Sequence, residues 1–407
     1  MVDTKLYLSP EDNLVLEQLR KHGDAWIVGG WVRDTLLMGE SKTDIDIATT
    51  LLPREVIEIF PRTIPVGEEF GTVIVRLDGD SEKEWEVTTL RKDGSYGDGR
   101  RPDNVSFGTN IMDDLARRDF TINAMAIGAD GDLIDIFGGE NDLKLNIVRA
   151  VGEADKRIAE DGLRILRAFR FLDLEKNNLR ILDTELENAI KENIGMLEKV
   201  SRERITDEFR KILSGNNPYE IFKKMQELGV LKNIMNDLSI EIEDFGDAQP
   251  MVILARFLKN NHYNGEQLSE NLKGILKLSK KEMREISFLH ENRNLKFDNS
   301  VGSIRRFRVL LSEEQKSAIL EYHNDDDFKE KYHDMKEEIN MQPILDGIKI
   351  SEITGIKPSR KLGLLKDWLF RIQIEKNINQ KKEMEEILHG IDWNEPDFES
   401  WPKLLWP

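Results

Sequence analysis

Residues 26–48 read Trp-Ile-Val-Gly-Gly-Trp-Val-Arg-Asp-Thr-Leu-Leu-Met-Gly-Glu-Ser-Lys-Thr-Asp-Ile-Asp-Ile-Ala. The apolar run predicts a strand, and the double glycine after it leaves no side chain between the backbone amides and a phosphate. Asp44 and Asp46 are flanked by β-branched residues, which predict a second strand. Its period places both carboxylates on one face, where they can bind hard cations. The double glycine alone fits an ordinary turn, and the aspartate pair alone fits two solvated acids. Together, at this spacing, they indicate nucleotidyl transfer.

The composition of the 407-residue chain narrows the class of protein. It contains no cysteine, which excludes a disulfide framework and thiolate metal sites. No run of about eighteen apolar residues occurs, and the amino terminus lacks the pattern of a signal peptide. We therefore expect a cytoplasmic protein without a membrane partner. The net charge of −18 opposes nucleic-acid binding at long range, although binding itself depends on local patches.

Basic residues concentrate in one stretch of this acidic chain. Acids dominate residues 241–247 and 325–338, whereas residues 273–316 are rich in lysine and arginine. Such a stripe fits a track for the phosphates of a nucleic acid, and equally the solvated surface of a helix. Its basic side chains are Lys273, Lys277, Lys280, Lys281, Arg284, Arg293, Lys296, Arg305, Arg306, Arg308 and Lys316.

The order of predicted elements indicates an α+β fold. Residues 73–77 and 85–90 are rich in alternating or β-branched residues and predict a hairpin beside the strand of Asp44 and Asp46. After Gly152 nearly the whole chain has a helical pattern. We therefore predict a small mixed-sheet head followed by an elongated all-helical half.

A second cluster, Arg117-Arg118-Asp119-Phe-Thr-Ile-Asn123-Ala, carries paired guanidinium groups. Arg118 offers a forked, permanently charged donor that suits a triphosphate, and Asp119 could orient it. The alternative for such a group is a surface salt bridge at a helix end.

A third cluster extends from Glu160 to Phe171 and contains Asp161, Arg164, Arg167 and Arg170. On a helix, Asp161 and Arg164 would be neighbours three residues apart, which commonly means a surface ion pair. A carboxylate beside a guanidinium also matches the amino group and ring nitrogen of cytosine or adenine. Uracil and guanine present a carbonyl at the corresponding place. The pair could therefore select C and A without a template.

In this order the three clusters resemble the motifs of class II tRNA nucleotidyltransferases, the CCA-adding enzymes, which share their head with bacterial poly(A) polymerases. Residues 135–143 are similar to the connecting motif of that family, and Ser201-Arg-Glu-Arg204 is similar to the motif that closes its neck. The likeness is dense over residues 25–215 and sparse beyond them. It implies a nucleotidyltransferase head (palm) over residues 1–150, a base-binding neck over 151–215, a tRNA-binding helical body over 216–342 and a helical tail over 343–407.

The resemblance also implies roles for individual residues. Asp44 and Asp46 would bind catalytic magnesium ions, and Glu86 is a candidate third carboxylate. Contacts to the triphosphate of CTP or ATP would come from Gly30, Arg33 and Arg118. The nucleotide-binding helix would carry Asp161, Arg164, Arg167 and Arg170, with Asp161 and Arg164 as the template for the base.

Within the family, the stretch 91–107 bears on the activity. CC-adding relatives lack a flexible loop here, whereas this chain carries one with Gly94, Gly97 and Gly99. The loop favours addition of the full CCA sequence to the 3′ end of tRNA, a reaction that releases pyrophosphate. The basic stripe of residues 273–316 is the candidate for holding the acceptor arm. An A-adding enzyme or a poly(A) polymerase stays open, as does an inactive head used only to bind RNA.

Overall fold

The computed structural model describes residues 8–39, 44–66, 71–77, 83–93, 105–340 and 342–407. The chain forms two compact units. The first contains residues 1–238 and 274–277, and the second contains residues 239–273 and 278–407. Residues 94–104 of the predicted flexible loop lie outside the described residues. None of the helices in the described ranges combines the length and apolar character needed to cross a membrane.

The strands of the first unit are short. They are β1 (Ala25–Val28), β2 (Asp46–Thr49), β3 (Arg62–Pro65), β4 (Thr72–Arg76), β5 (Trp85–Thr89), β6 (Arg91–Asp93), β7 (Val105–Phe107), β8 (Ala126–Ile127), β9 (Leu133–Ile134), β10 (Ile147–Val148) and β11 (Ile181–Leu182).

Among the described residues, seven of these strands form one mixed sheet in the order β3-β4-β5-β2-β1-β8-β9. β4 and β5 pair antiparallel, which confirms the predicted hairpin, and β5 then pairs parallel with β2. This register sets Asp46 opposite Glu86, and the antiparallel pairing of β1 with β2 sets Asp46 opposite Val28. The end of β1, just before the double glycine, therefore lies beside the acidic strand. β6 and β7 pair with each other at the two ends of the predicted loop.

Helices make up most of the remaining structure. In the first unit they are α1 (Pro10–Arg20), α2 (Gly30–Met38), α3 (Pro53–Ile59), α4 (Ile111–Ala116), α5 (Gly139–Lys144), α6 (Ala154–Glu160), α7 (Leu163–Leu172), α8 (Thr184–Glu192), α9 (Arg202–Leu213), α10 (Pro218–Glu227) and α11 (Val230–Met235). In the second unit they are α12 (Pro250–Phe257), α13 (Gly265–Ile275, whose last residues group with the first unit), α14 (Lys280–Glu291), α15 (Val301–Leu310), α16 (Glu313–His323), α17 (Asp326–Asp334), α18 (Gly347–Thr354), α19 (Arg360–Lys376) and α20 (Lys381–Gly390).

The structure corrects one expectation about the third cluster. Asp161 does not share a continuous helix with Arg164, because the chain turns at Asp161 (φ −151°, ψ 107°) between α6 and α7. A Cβ on Gly162 would lie 2.3 Å from the carbonyl oxygen of Met196, so the close approach of that segment requires glycine. The Asp161 carboxylate accepts a hydrogen bond from the backbone amide of Leu163 (3.0 Å) and caps the start of α7.

The second unit contains two apolar clusters. One joins buried residues of α12, α14, α15, α16 and α17, and the other joins residues of α18, α19 and α20. Trp406, near the carboxyl terminus, packs in the first of these clusters against Phe297, Phe307 and Phe328.

A buried carboxylate connects α1 to the sheet. Asp12 is 4% exposed and accepts hydrogen bonds from the Ser9 amide (2.9 Å) and from the indole Nε1 of Trp85 (2.8 Å), while Lys83 lies 2.6 Å away. Burial alone would raise the pKa of Asp12, but Lys83, Trp85 and Ser9 together hold it below the ordinary value. The ionised carboxylate therefore stabilises the fold, and that contribution is lost as the pH falls through the lowered pKa.

We predict that Asp12→Ala lowers the free energy of unfolding by about 2–3 kcal/mol, because the buried Trp85 indole loses its acceptor and α1 loses its capping box. Urea unfolding followed by circular dichroism measures the change. Glu11→Ala, at an exposed position in the same turn, is the matched control and should cost much less. Equal losses in the two variants would contradict the role given to Asp12.

Candidate active site

A cavity of about 780 Å³ in the first unit brings the three sequence clusters together. All the residues predicted for the site line it. They are Gly30, Arg33, Asp44, Asp46, Arg118, Asp161, Arg164, Arg167 and Arg170. Glu86, Asp114, Asp119, Asn123 and Arg204 line the same cavity.

One edge of the cavity is acidic. Asp46 lies in β2 opposite Glu86 in β5, and Asp44 precedes β2 by two residues. Burial is the largest cause that raises the pKa of Asp46 to about 6, and the negative charges of Glu86 and Asp44 add to it. The positive charge of Arg118 partly opposes this shift. The ionised form of Asp46 is therefore destabilised, and a bound cation would stabilise it.

The double glycine forms the floor beside this edge. Gly29 has φ +77°, in the left-handed region, and α2 begins at the next residue. A Cβ on Gly29 would lie 3.1 Å from Asp46 Oδ2 and 3.2 Å from Arg118 Nη1. A side chain on Gly29 would therefore press against both the Asp46 carboxylate and the Arg118 guanidinium. The missing side chain leaves a cradle next to the amino terminus of α2, a favourable place for an anion.

The second cluster is held by a buried acid that the sequence had not singled out. Asp114, 1% exposed, pairs with Arg117 through Oδ1 (2.6 Å) and with Arg118 through Oδ2 (3.2 Å). Burial favours protonation, but the two arginines outweigh it and lower the pKa of Asp114. The surface salt bridge considered for this cluster is therefore a buried one that orients Arg118 in the cavity.

The arginines of the third cluster have partners from elsewhere in the first unit. Arg167 pairs with Asp119 (2.5 Å), and Arg170 pairs with Glu208 on α9 (2.8 Å). Burial alone would lower the pKa of Arg167, but the charge and hydrogen bond of Asp119 raise it. Each guanidinium is therefore held in a defined orientation before any ligand binds.

Asp161 and Arg164 line the same cavity, yet each pairs with another residue. Asp161 receives two hydrogen bonds from Arg204 on α9, at 2.7 and 3.2 Å. Arg164 pairs with Glu160 (2.5 Å) and also donates to the carbonyl oxygen of Arg117 (3.1 Å). The motif Ser201-Arg-Glu-Arg204 is recognisable in the sequence, but the sequence alone does not assign Arg204 to the site. A contact between distant segments of the chain makes Arg204 a site residue.

The basic stripe is less available than predicted. Arg306 and Lys316 are buried, and several other members pair with acids of the same unit. These pairs are Lys281 with Glu314, Arg305 with Glu337, and Lys273 with Glu270. Much of the stripe is therefore neutralised within the second unit rather than forming a continuous basic surface.

The fold and the cavity are similar to those of nucleotidyltransferase heads. The family model described as "Poly A polymerase head domain" matches residues 25–149, and "Probable RNA and SrmB- binding site of polymerase A" matches residues 181–241. Over these residues the chain is similar to the family of tRNA nucleotidyltransferases and poly(A) polymerases.

Its relatives within that family carry the name CCA-adding enzyme. The protein of Geobacillus thermodenitrificans is 46% identical over 217 residues, which cover 53% of this chain and 52% of the relative. The protein of Lactococcus lactis is 43% identical over 262 residues, 60% of this chain and 63% of the relative. The chain thus spans about half to two-thirds of the length of these curated relatives in alignment.

Solved structures extend the similarity over nearly the whole chain. The Bacillus stearothermophilus CCA-adding enzyme in complex with CTP aligns with 94% of this chain and 98% of its own, at 28% identity and a TM-score of 0.75. The Thermotoga maritima CCA-adding enzyme complexed with tRNA aligns with 95% of this chain and 97% of its own, at a TM-score of 0.67. At 22% identity, this second match shows a common fold alone.

The raised pKa of Asp46 leads to a stability prediction. At pH 8 without divalent cations, Asp46→Asn should stabilise the protein by an amount of order 1 kcal/mol, because the ionised carboxylate is unfavourable in the folded state. The gain should shrink as the pH falls below about 6 and vanish only below the ordinary value of 3.8, where Asp46 is protonated in both states. Thermal unfolding against pH measures it, with the exposed Asp132→Asn as control. A lower melting temperature for Asp46→Asn at pH 8 would refute this electrostatic account.

Proposed function

We propose that this chain adds CCA to the 3′ end of tRNA from CTP and ATP, without a template and with release of pyrophosphate. One observation carries the proposal: a single cavity joins an acidic edge, a phosphate cradle and a carboxylate–guanidinium pair suited to C and A. The similarity to CCA-adding enzymes supports it.

Magnesium fits the acidic edge. Asp44 and Asp46 would hold it, because the donors are carboxylate oxygens and a cation would stabilise the ionised form of Asp46, whose pKa burial and the charge of Glu86 raise. The described residues contain no group of three or more side chains arranged for a metal, so substrate and water oxygens would complete the coordination. Bound magnesium lowers the pKa of an attacking hydroxyl and neutralises phosphate charge.

The protein's own groups position the triphosphate. Arg33 and Arg118 would contact its oxygens, and Gly30 would offer its amide at the start of α2. Asp114 and Asp34 hold these two guanidinium groups in place, so little reorganisation is needed when the leaving pyrophosphate develops charge.

The base is selected at the other end of the cavity. Arg204 donates to both oxygens of the Asp161 carboxylate and the Leu163 amide donates to Oδ1, so Oδ2 keeps a lone pair to accept the amino group of C or A. Arg164 uses three of its five N–H donors on Glu160 and two carbonyl oxygens, so donors remain for a ring nitrogen. The carbonyl group of U or G would face the carboxylate and be rejected. Arg167 and Arg170 complete this base-binding surface.

The helical second unit would hold the acceptor arm through phosphates and shape, as A-form RNA is commonly recognised. Lys280, Arg284 and Lys296 are exposed members of the stripe in the second unit that pair with none of the described carboxylates, and they are our candidates for this contact.

The decisive experiment supplies labelled CTP and ATP to a tRNA transcript that ends before CCA. We expect CCA as the product. Asp44→Ala and Asp46→Ala should each reduce incorporation at least a thousandfold, because the magnesium ligands are lost, while tRNA binding changes little. Asp132→Ala, an exposed acid outside the cavity, is the control.

Each other outcome names a different function. Addition of a single A would identify an A-adding enzyme, a long A tail a poly(A) polymerase, and no incorporation an inactive RNA-binding head. Most of the activity remaining in either aspartate variant would refute the metal assignment.

Asp161→Asn tests base selection separately. The amide would offer a donor to the carbonyl of uracil, so UTP incorporation should rise about tenfold relative to CTP. Competition between UTP and CTP measures the ratio, and Asp132→Asn is again the control. An unchanged ratio would contradict the template role of Asp161.

A further inference from the structure

Asn123 lies where the contacts of the cavity converge. It belongs to the second sequence cluster, ends a short 3₁₀ turn (Thr121–Asn123) and is 6% exposed. Its Oδ1 accepts a hydrogen bond from Arg33 Nη1 (2.8 Å), and its backbone oxygen accepts one from Arg118 Nη1 (3.3 Å). Its Nδ2 donates to Asp119 Oδ1 (3.2 Å). One residue therefore touches both arginines that face the triphosphate.

Through Asp119 the same network reaches the base-binding helix. Asp119 Oδ2 accepts a hydrogen bond from Arg167 Nε on α7 (2.6 Å). Asn123 thus connects arginines of α2, of the segment after α4, and of α7. These three segments approach one another only in the folded chain.

The chemistry of the neighbours determines which side chain can stand here. A guanidinium only donates and an ionised carboxylate only accepts, so the residue between Arg33 and Asp119 must accept on one side and donate on the other. An amide does both. Aspartate would set a second carboxylate against Asp119, and leucine would leave a buried donor and a buried acceptor unsatisfied.

We propose that Asn123 is a positioning residue that sets the triphosphate-binding arginines, Arg33 and Arg118, in fixed relation to each other and to Arg167. This inference rests on the proposed function, because it assumes that a nucleoside triphosphate occupies the cavity. Asn123 forms no hydrogen bond with Asp161 or Arg164, the pair proposed to select the base. Its loss therefore weakens recognition of the phosphates and leaves the choice between bases unchanged.

The test measures binding of CTP and of inorganic tripolyphosphate by calorimetry, together with KM and kcat on the tRNA transcript. Asn123→Asp should weaken binding of both probes at least tenfold and raise KM for CTP and ATP by a similar factor, with a smaller change in kcat. The ratio of CTP to UTP incorporation should stay constant. Asn123→Leu, which adds no charge, should act in the same direction and carries the test if the aspartate variant does not fold.

Asn217 provides a matched control. It is also 6% exposed, and its Nδ2 also donates to an aspartate, Asp173 Oδ1, at 2.8 Å, but it lies outside the cavity. Asn217→Asp should lower the melting temperature and leave binding of both probes unchanged. Wild-type affinity for tripolyphosphate in a folded Asn123 variant would overturn the inference, as would an equal loss in Asn217→Asp. Failure of the unmodified chain to bind CTP would instead refute the proposed function, and tripolyphosphate would still decide the role of Asn123.

Discussion

The site depends on the space above Gly29, because the Asp46 carboxylate and the Arg118 guanidinium both face it. A Cβ on Gly29 would lie about as far from each group as a hydrogen-bonding partner does, at 3.1 and 3.2 Å. The strand that ends at Val28, the helix that begins at Gly30 and the acidic strand β2 all meet at this point. The sheet order also shapes the site, because the parallel pairing of β2 with β5 brings Glu86 to the acidic edge.

The cavity balances its charges internally. Buried or partly buried carboxylates hold most of its guanidinium groups, for example Asp114 with Arg118 and Asp119 with Arg167. Such pairs cost desolvation and contribute little net stability. Their value lies in orientation, because a long flexible side chain becomes a fixed donor. Among the described residues, the acidic edge keeps an excess of negative charge that raises the pKa of Asp46, and it lies where a cation would bind.

The site residues were predictable from local sequence motifs. Their partners from distant segments of the chain were not. Most of the nine predicted residues that line the cavity stand at or beside an end of a strand or helix. The break at Gly162 depends on Met196, which no helical period in the sequence indicates. The partnership of Asp161 with Arg204 likewise depends on the packing of α7 against α9. Partners such as Glu375 for Arg306 neutralise the basic stripe from far along the chain.

The position of Trp406 has a consequence for the order in which the chain folds. Every residue of the first unit precedes residue 278, so the whole unit is synthesised before the helices from α14 onward. The aromatic cluster of Phe297, Phe307 and Phe328 is completed only by Trp406. On the ribosome, that cluster must wait until residue 406 has left the exit tunnel. Every described residue that lines the nucleotide cavity is therefore synthesised before the helical unit proposed to hold RNA can complete this aromatic cluster.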